Sequence, residues 1–278
     1  MKKKSSKKIP VTPVDTRVIA RVNSGIVSIG NAQHQGARSY QEDSFGFSEF
    51  SLSVASNKGI LAVLADGMGG LKNGKAVSDT VVSTLLEWFN SERSVCRTGT
   101  DLKNAISAIN QKICDIYCKD GRIESGSTVV VALINNGFLH WLCIGDSRLY
   151  LKRDQNLYQI NEDHDFLNQM LGEVIAGEKT LGAAYSDKQK DSLVGCIGKR
   201  DLEVFDYSKR GYRLEDGDIL VLCSDGVYNA MTKVEFNMNI SSDAMHSCDN
   251  IIKIIESKKL PNQDNNTIVI LSYKEKGV

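Results

Sequence analysis

Short apolar runs, either rich in β-branched residues or alternating in polarity, recur at about 18–29, 44–53, 59–65, 127–135, 138–144, 147–152, 203–206, 218–224 and 267–273, and predict strands. Apolar positions with helical spacing fall near 74–91, 101–118, 163–175 and 243–258, where Asp101 and Ser242 are the expected N-caps. Strands and helices therefore cluster instead of alternating strictly. Asn135-Asn136-Gly137 separates two apolar runs and predicts a hairpin; the second run passes through Gly145-Asp146-Ser147 directly into another strand. Connections this tight favour antiparallel pairing, so the expected class is a layered α+β domain and not a doubly wound parallel sheet.

Two of these runs stop abruptly at a carboxylate: LAVLADGMGG at Asp66 and ILVLCSDG at Asp225. An anionic side chain at a sheet edge, followed by Gly, suits cation binding, because the Gly lets the backbone turn and bring a carbonyl to the same ion. Asp120-Gly121 and Asp216-Gly217 follow polar sequence and read as ordinary turns.

A chain of 278 residues with no Pro/Gly/Ser-rich linker reads as one domain over 17–278, behind a basic flexible tail over 1–16. Lys plus Arg equals Asp plus Glu at 34 each, which implies no basic face for nucleic acid and no acidic excess typical of disorder. The segment MKKKSSKKIPVTPVD carries five lysines and no apolar stretch after them, so it lacks the h-region of a secretory signal. It reads as solvated, with membrane-surface or partner docking as the alternative. No apolar run approaches the roughly 20 residues that span a bilayer. Seven scattered cysteines, an odd number, read as reduced core thiols of a bacterial-type cytoplasmic protein; Cys143 and Cys223 fall in strands, and Cys114 and Cys118 share a helical face without partners for zinc.

The other acidic positions gain weight from their number. Arg38-Ser39-Tyr40-Gln41-Glu42-Asp43 sets a guanidinium and two adjacent carboxylates where a strand begins, Asp146 stands in a Gly turn, and Asp264-Asn265-Asn266-Thr267 precedes the last strand. Each alone is compatible with a surface ion pair, a hairpin or a cap. Together with Asp66 and Asp225, such sites at strand edges of one neutral chain are not what turns alone produce.

In this combination the chain resembles the metal-dependent serine/threonine protein phosphatases, the PPM or type 2C class, from about Ser28 to Tyr273. The resemblance runs in order through Arg38 to Asp43, ADGMGG at Asp66 to Gly70, SGST at Ser125 to Thr128, GDSR at Gly145 to Arg148, Asp163-His164, SDG at Ser224 to Gly226 and DNxT at Asp264 to Thr267. It implies a four-layer α/β/β/α sandwich with two central antiparallel sheets and a two-metal centre at one end. Asp66 resembles the carboxylate bridging both metals, and the Gly67 carbonyl a ligand of one. Asp225 and Asp264 resemble ligands of the other metal, and Glu42 and Asp43 direct or water-mediated ligands. Asp146 resembles a ligand of a third, weaker cation. A set of hard oxygen donors without His or Cys favours Mn²⁺ or Mg²⁺ over zinc. Two such ions about 3.5–4 Å apart would activate a bridging water for in-line attack on phosphorus, with Asp66 and Arg38 as the catalytic pair and Arg38 as the phosphate clamp. Phosphorylated proteins, generated by an opposing serine/threonine kinase, are the partners this implies.

The chain also departs from the family pattern. Met68 follows Asp-Gly where many members have His, which removes an imidazole general acid. Asn229 stands four residues after Asp225 where relatives carry Asp, and DSLVGCIG replaces an arginine-bearing element after Asp163-His164. The segment at about 176–192 corresponds to a variable flap. Among the histidines, His34 reads as a solvated loop residue, His140 as packed, His164 as structural and His246 as helical. The alternatives to a phosphatase are a catalytically weak regulatory member of the same fold that binds phosphoproteins, and an aspartyl-nucleophile phosphohydrolase. Intact acids disfavour the first and a missing Asp-x-Asp-x-Thr/Val signature the second.

Overall fold

The computed structural model describes residues 18–48, 58–68, 73–91, 98–119, 122–123 and 125–277. The basic tail, residues 49–53 of an expected strand, Gly69-Gly70, Cys96 and Asp120-Gly121 lie outside them. In chain order the strands are β1 (Val18–Val22), β2 (Gly25–His34), β3 (Ser44–Phe47), β4 (Ile60–Ala65), β5 (Cys118–Lys119), β6 (Arg122–Ile123), β7 (Val129–Asn135), β8 (Phe138–Ile144), β9 (Arg148–Arg153), β10 (Asn156–Gln159), β11 (Asp206–Tyr207), β12 (Tyr212–Arg213), β13 (Ile219–Cys223) and β14 (Asn266–Glu275). The helices are α1 (Gly74–Asn90), α2 (Gly99–Tyr117), α3 (Phe166–Ile175), α4 (Leu181–Ser186), α5 (Asp225–Tyr228), α6 (Lys233–Met238) and α7 (Ala244–Lys258).

Two antiparallel sheets form the centre, one ordered β1-β2-β14-β13-β9-β10 and the other β11-β8-β7-β4-β3 with β12 also on β8. The continuous apolar character of β4, β7, β13 and β14 follows from this stacking, because both faces of each strand are covered. Ile60, Ala62 and Leu64 of β4 join Leu220, Leu222, Val269 and Leu271 in the core between the sheets, while Leu61, Val63 and Ala65 pack under α1 and α2. On the other sheet, Ile219, Val221, Ile268 and Ile270 pack under α6 and α7. Single-residue alternation thus separates three apolar layers, and the result is the expected α/β/β/α sandwich. The helices meet it through matching stripes, Val77, Val81, Leu85 and Phe89 on α1 and Leu102, Ile106, Ile109 and Ile113 on α2.

Several local expectations are corrected. The run at 18–29 is a β1–β2 hairpin broken at Asn23-Ser24, and β2 continues to His34. Asp101 lies in the first turn of α2, where its carboxylate accepts from the Thr98 amide and hydroxyl at 3.0 and 2.8 Å while the Thr98 hydroxyl accepts from the Asp101 amide, a reciprocal box with Thr98 at the cap. Asp243, not Ser242, caps α7 by accepting from the His246 amide. α2 ends at Tyr117, so Cys114 and Cys118 do not share a helix. The β7–β8 hairpin turns on Asn136 and Gly137 at φ 50° and 78°, the left-handed pair that a two-residue loop requires.

Strand register places the chemistry. Ser44 pairs Ala65, Val129 pairs Ile144, Cys223 pairs both Arg148 and Ile268, and Asn266 pairs His34, so the ends of β2, β4, β8 and β13 and the beginnings of β3, β7, β9 and β14 all lie at one end of the sandwich. Leu222 is fully buried between the sheets. Leu222→Ala should lower unfolding free energy by about 2–5 kcal/mol in urea titration, and a loss below 1 kcal/mol would show that this core tolerates a cavity.

Candidate metal centre and active site

The strand ends deliver six carboxylates to this end of the molecule. Glu42, Asp66, Asp146, Asp225 and Asp264 line one cleft together with Gly67, Met68, Thr128 and Asp191. Asp43 lies beneath it and is buried. Among the described residues, no three acidic, His or Cys side chains already converge as a closed ligand cage. The acids surround an open cleft.

Backbone ties hold the ring in place. After β4, the Asp66 carbonyl accepts from the Thr128 amide and the Ser127 hydroxyl, both at 2.8 Å, while the Gly67 amide donates to the Glu42 carbonyl and the Met68 amide to the Gly126 carbonyl. Gly67 is needed by close approach: a Cβ there would stand 2.6 Å from Gly74 backbone and 2.7 Å from the Glu42 carbonyl. Asp43 joins the two sheets, for its Oδ2 accepts from the Ser224 hydroxyl at 2.9 Å and the Thr267 hydroxyl at 2.6 Å. Its Oδ1 is buried without a hydrogen-bond donor. The Asp43 carboxyl as a whole lies within hydrogen-bond reach of the Asp66 carboxyl, which can donate to it only when it carries a proton.

Asn265, which the sequence reading passed over as part of a cap, is the organiser of the 35–42 loop. Its Oδ1 accepts from the Glu42 amide at 2.8 Å, and its Nδ2 donates to the carbonyls of Gln35 and Tyr40. Arg38 is held by an ion pair to Asp264 at 2.6 Å. On the opposite side the Thr128 and Ser147 hydroxyls share a 2.7 Å hydrogen bond, and Gly145 and His164 bond each other reciprocally, amide to Nδ1 and amide to carbonyl. Burial pushes the His164 imidazole down, keeping it neutral for that acceptor role. Arg148 makes a forked contact with Asp163 and lies 3.5 Å from the centre of the Tyr228 ring, whose hydroxyl donates to the Asp146 carbonyl. The GDSR and Asp163-His164 elements are therefore struts for the Asp146 turn.

Crowding governs the electrostatics. Burial, then the charges of Asp43, Asp225, Asp146 and Asp264, push Asp66 well above the usual carboxylate range. Burial also raises Asp43 to about 6 against the pull of its two hydroxyl donors, Asp225 to about 6 with repulsion from Asp264, and Asp146 to about 7 with repulsion from Asp225. Glu42 is shifted upward by burial, partly offset by Arg38. Such a set is relieved either by protons or by multivalent cations, and its donors are all oxygen.

Not every sequence assignment gathers here. His34 ends β2, accepts at Nδ1 from the Gly36 amide and pairs with Glu256 at 2.9 Å, so it is not a solvated loop residue. Asn229 is exposed at the end of α5 and does not line the cleft. Asp191, on the segment after α4, does line it. The expected flap is thus partly helical, and its chain is tied to the cleft rim through the Phe166 and Leu167 amides, which donate to the Ser192 and Lys190 carbonyls.

Stacked antiparallel sheets flanked by helices, with acids converging at one end, define the class of metal-dependent phosphatases. The catalytic domain of the serine/threonine protein phosphatase PstP, solved in complex with two manganese ions, superposes with a TM-score of 0.68 at 25% identity over 90% of this chain and 99% of its own. Residues 31–263 match the family described as Protein phosphatase 2C, and the chain belongs to that family. A putative protein phosphatase 2C-type of Streptococcus pyogenes is 31% identical over 83% of this chain and 87% of its own length. Protein phosphatase PhpP of Streptococcus pneumoniae is 28% identical over 77% and 86%. With this membership the chain is a metal-dependent serine/threonine protein phosphatase.

The raised acids make metal-free stability depend on pH. Folded values of about 6 to 7 at Asp43, Asp225 and Asp146 exceed the unfolded value of about 3.9, so the folded chain binds more protons in between and its stability falls as pH rises from about 4 to 7. In chelator, the melting temperature should be lower at pH 7.5 than at pH 5.5. Added Mn²⁺ should raise it more at the higher pH, and Asp146→Asn should flatten the chelated slope. A slope identical in wild type and Asp146→Asn would remove Asp146 from this account.

Proposed function

We propose that the protein removes phosphate from phosphoserine and phosphothreonine in protein substrates at a two-cation centre held by Glu42, Asp43, Asp66, the Gly67 carbonyl, Asp225 and Asp264. The observation that carries this reading is the buried, donorless Oδ1 of Asp43 beside Asp66, within a ring of acids whose burial and mutual repulsion demand positive charge. When bound there, Mn²⁺ or Mg²⁺ would supply that charge and make water a stronger nucleophile toward phosphorus. Asp66, central to the electrostatic ring, is suited to serve both ions. Arg38 presents a planar fork at the cleft rim and, moving from Asp264 to the substrate, pairs with phosphoryl oxygens and offsets their charge.

Met68 lines the cleft and has no proton to give, and both ring nitrogens of His34 are engaged. The leaving serine or threonine oxygen accordingly takes its proton from solvent. Asp146 serves a weaker third cation, with Asp191 as the other carboxylate on that rim. The free buried thiols of Cys143, Cys223 and Cys248 suit a reducing compartment, supporting a cytoplasmic location, where the opposing enzyme is a serine/threonine kinase.

Hydrolysis of a phosphothreonine peptide should require Mn²⁺ or Mg²⁺, cease in excess chelator, and lose most turnover in Asp66→Asn. Full activity in chelator would sink the mechanism. Arg38→Ala should raise KM, with kcat/KM falling by about 1.5–3 kcal/mol equivalent, while two cations still bind in calorimetric titration. Lost cation binding in that variant would recast Arg38 as a structural counter-charge.

A further inference from the structure

Beside the acidic cleft lies a second depression, lined by Tyr40, Glu42, Asn73, Lys75, Ala76 and Asp79, and Glu42 belongs to both. Its charged wall is internally matched. The Lys75 ammonium donates to the Asp79 carboxylate at 2.8 Å, the Ser44 hydroxyl at 3.0 Å and the Asp43 carbonyl at 3.1 Å, which uses all three of its protons. What the groove offers a visitor as apolar surface is therefore the Tyr40 ring and the Ala76 methyl, flanked by the polar side chains of Glu42 and Asn73.

Tyr40 is 76% exposed although its backbone is fixed. Asn265 Nδ2 donates to its carbonyl at 3.0 Å, the Glu42 amide two residues on donates to Asn265 Oδ1, and the intervening Gln41 bonds the His34 carbonyl and the Asp43 amide. A large aromatic left in water still has apolar area to bury, and a rigid support means that no loop need be ordered when something covers it. It is also two residues from Arg38, the group assigned to the phosphate.

We propose that Tyr40 is a specificity-determining residue: the polypeptide flanking the phosphoresidue runs from the acidic cleft over Glu42 into this groove and lays an apolar or aromatic side chain on the Tyr40 ring. Glu42, which lines both depressions, marks the path between them, and the Lys75–Asp79 pair leaves the groove without a free cation. The proposal rests on the phosphatase reading above. It predicts a contact made by peptides and missed by small phosphate esters.

The test compares wild type, Tyr40→Ala and Tyr40→Phe in Mn²⁺ on p-nitrophenyl phosphate and on phosphothreonine peptides with Leu, Phe or Gly at each flanking position. For Leu or Phe peptides, Tyr40→Ala should raise KM about three- to tenfold with kcat unchanged, while Tyr40→Phe stays near wild type. The wild-type preference for Leu or Phe over Gly should disappear in Tyr40→Ala, and constants for p-nitrophenyl phosphate should stay within about twofold. Equal losses on both substrates would overturn the proposal, since Tyr40 would then support the centre itself. Unchanged peptide kinetics would overturn it too, and a simultaneous change in sedimentation would identify the patch as a self-association surface. Wild-type protein that cleaves neither substrate would defeat the underlying phosphatase reading instead.

Discussion

The structure depends on forcing like charges together where two sheets end. Asp43 shows how this is sustained: it begins at the edge of one sheet, yet its carboxylate is clamped by Ser224 and Thr267 of the other, so the sandwich cannot open at that end without stripping a buried charge of its donors. The remaining oxygen is buried and unpaired, and the carboxyl meets that of Asp66, which leaves the pair dependent on a proton or a cation. Asn265 extends the same clamp into the loop that carries Arg38 and Glu42, using both of its amide hydrogens and one oxygen lone pair on that loop's backbone.

The apolar layers make such crowding tolerable. Strands such as β4 and β13, buried on both faces, have little freedom to shift register, because a slip of one residue would exchange the inter-sheet core for the layer under the helices. The Asp146 turn is braced separately, through Arg148 on Asp163 and Tyr228 on the Asp146 carbonyl, so that its carboxylate is presented by a stiff support even though it lies across the cleft from Asp43. Positions of charge are thus set by packing at a distance from the charges themselves.

Which parts were legible in the sequence follows from the same physics. Long apolar runs and the Asn136-Gly137 turn are local signals, and they placed most strands, the four longer helices and the layered α+β class. Asp66 and Asp225 were visible because a carboxylate ending an apolar strand is locally anomalous. The β1–β2 break at Asn23-Ser24 was not, since β-branched residues flank it on both sides. Neither was the part played by Asn265, whose partners at Gln35, Tyr40 and Glu42 are more than 220 residues away in sequence and leave no local pattern. His34 was misread for a related reason: its partner Glu256 comes from α7, which packs against β2 only in the folded chain. Asn229 and Asp191 exchanged importance because distance to the cleft is set by how α5 turns outward and the segment after α4 turns inward, which spacing alone does not encode.

The division between floor and rim has a functional logic. The acids come from strand ends whose positions are fixed by two cores, whereas α3 and α4 bring exposed apolar residues such as Ile175, Leu181 and Tyr185 to the periphery and bury little beyond Met170 and Ala184. Phosphate chemistry demands that charges stay put, because each ångström of misplacement weakens electrostatic stabilisation of the transferring group. Recognition of a protein substrate makes no such demand and can be altered at the rim at little expense to the centre. Met68 at the cleft and the exposed Asn229 lie outside the ring of six acids, and the requirement that governs the centre is the one Asp43 and Asp66 impose: a proton or a cation must offset their charge.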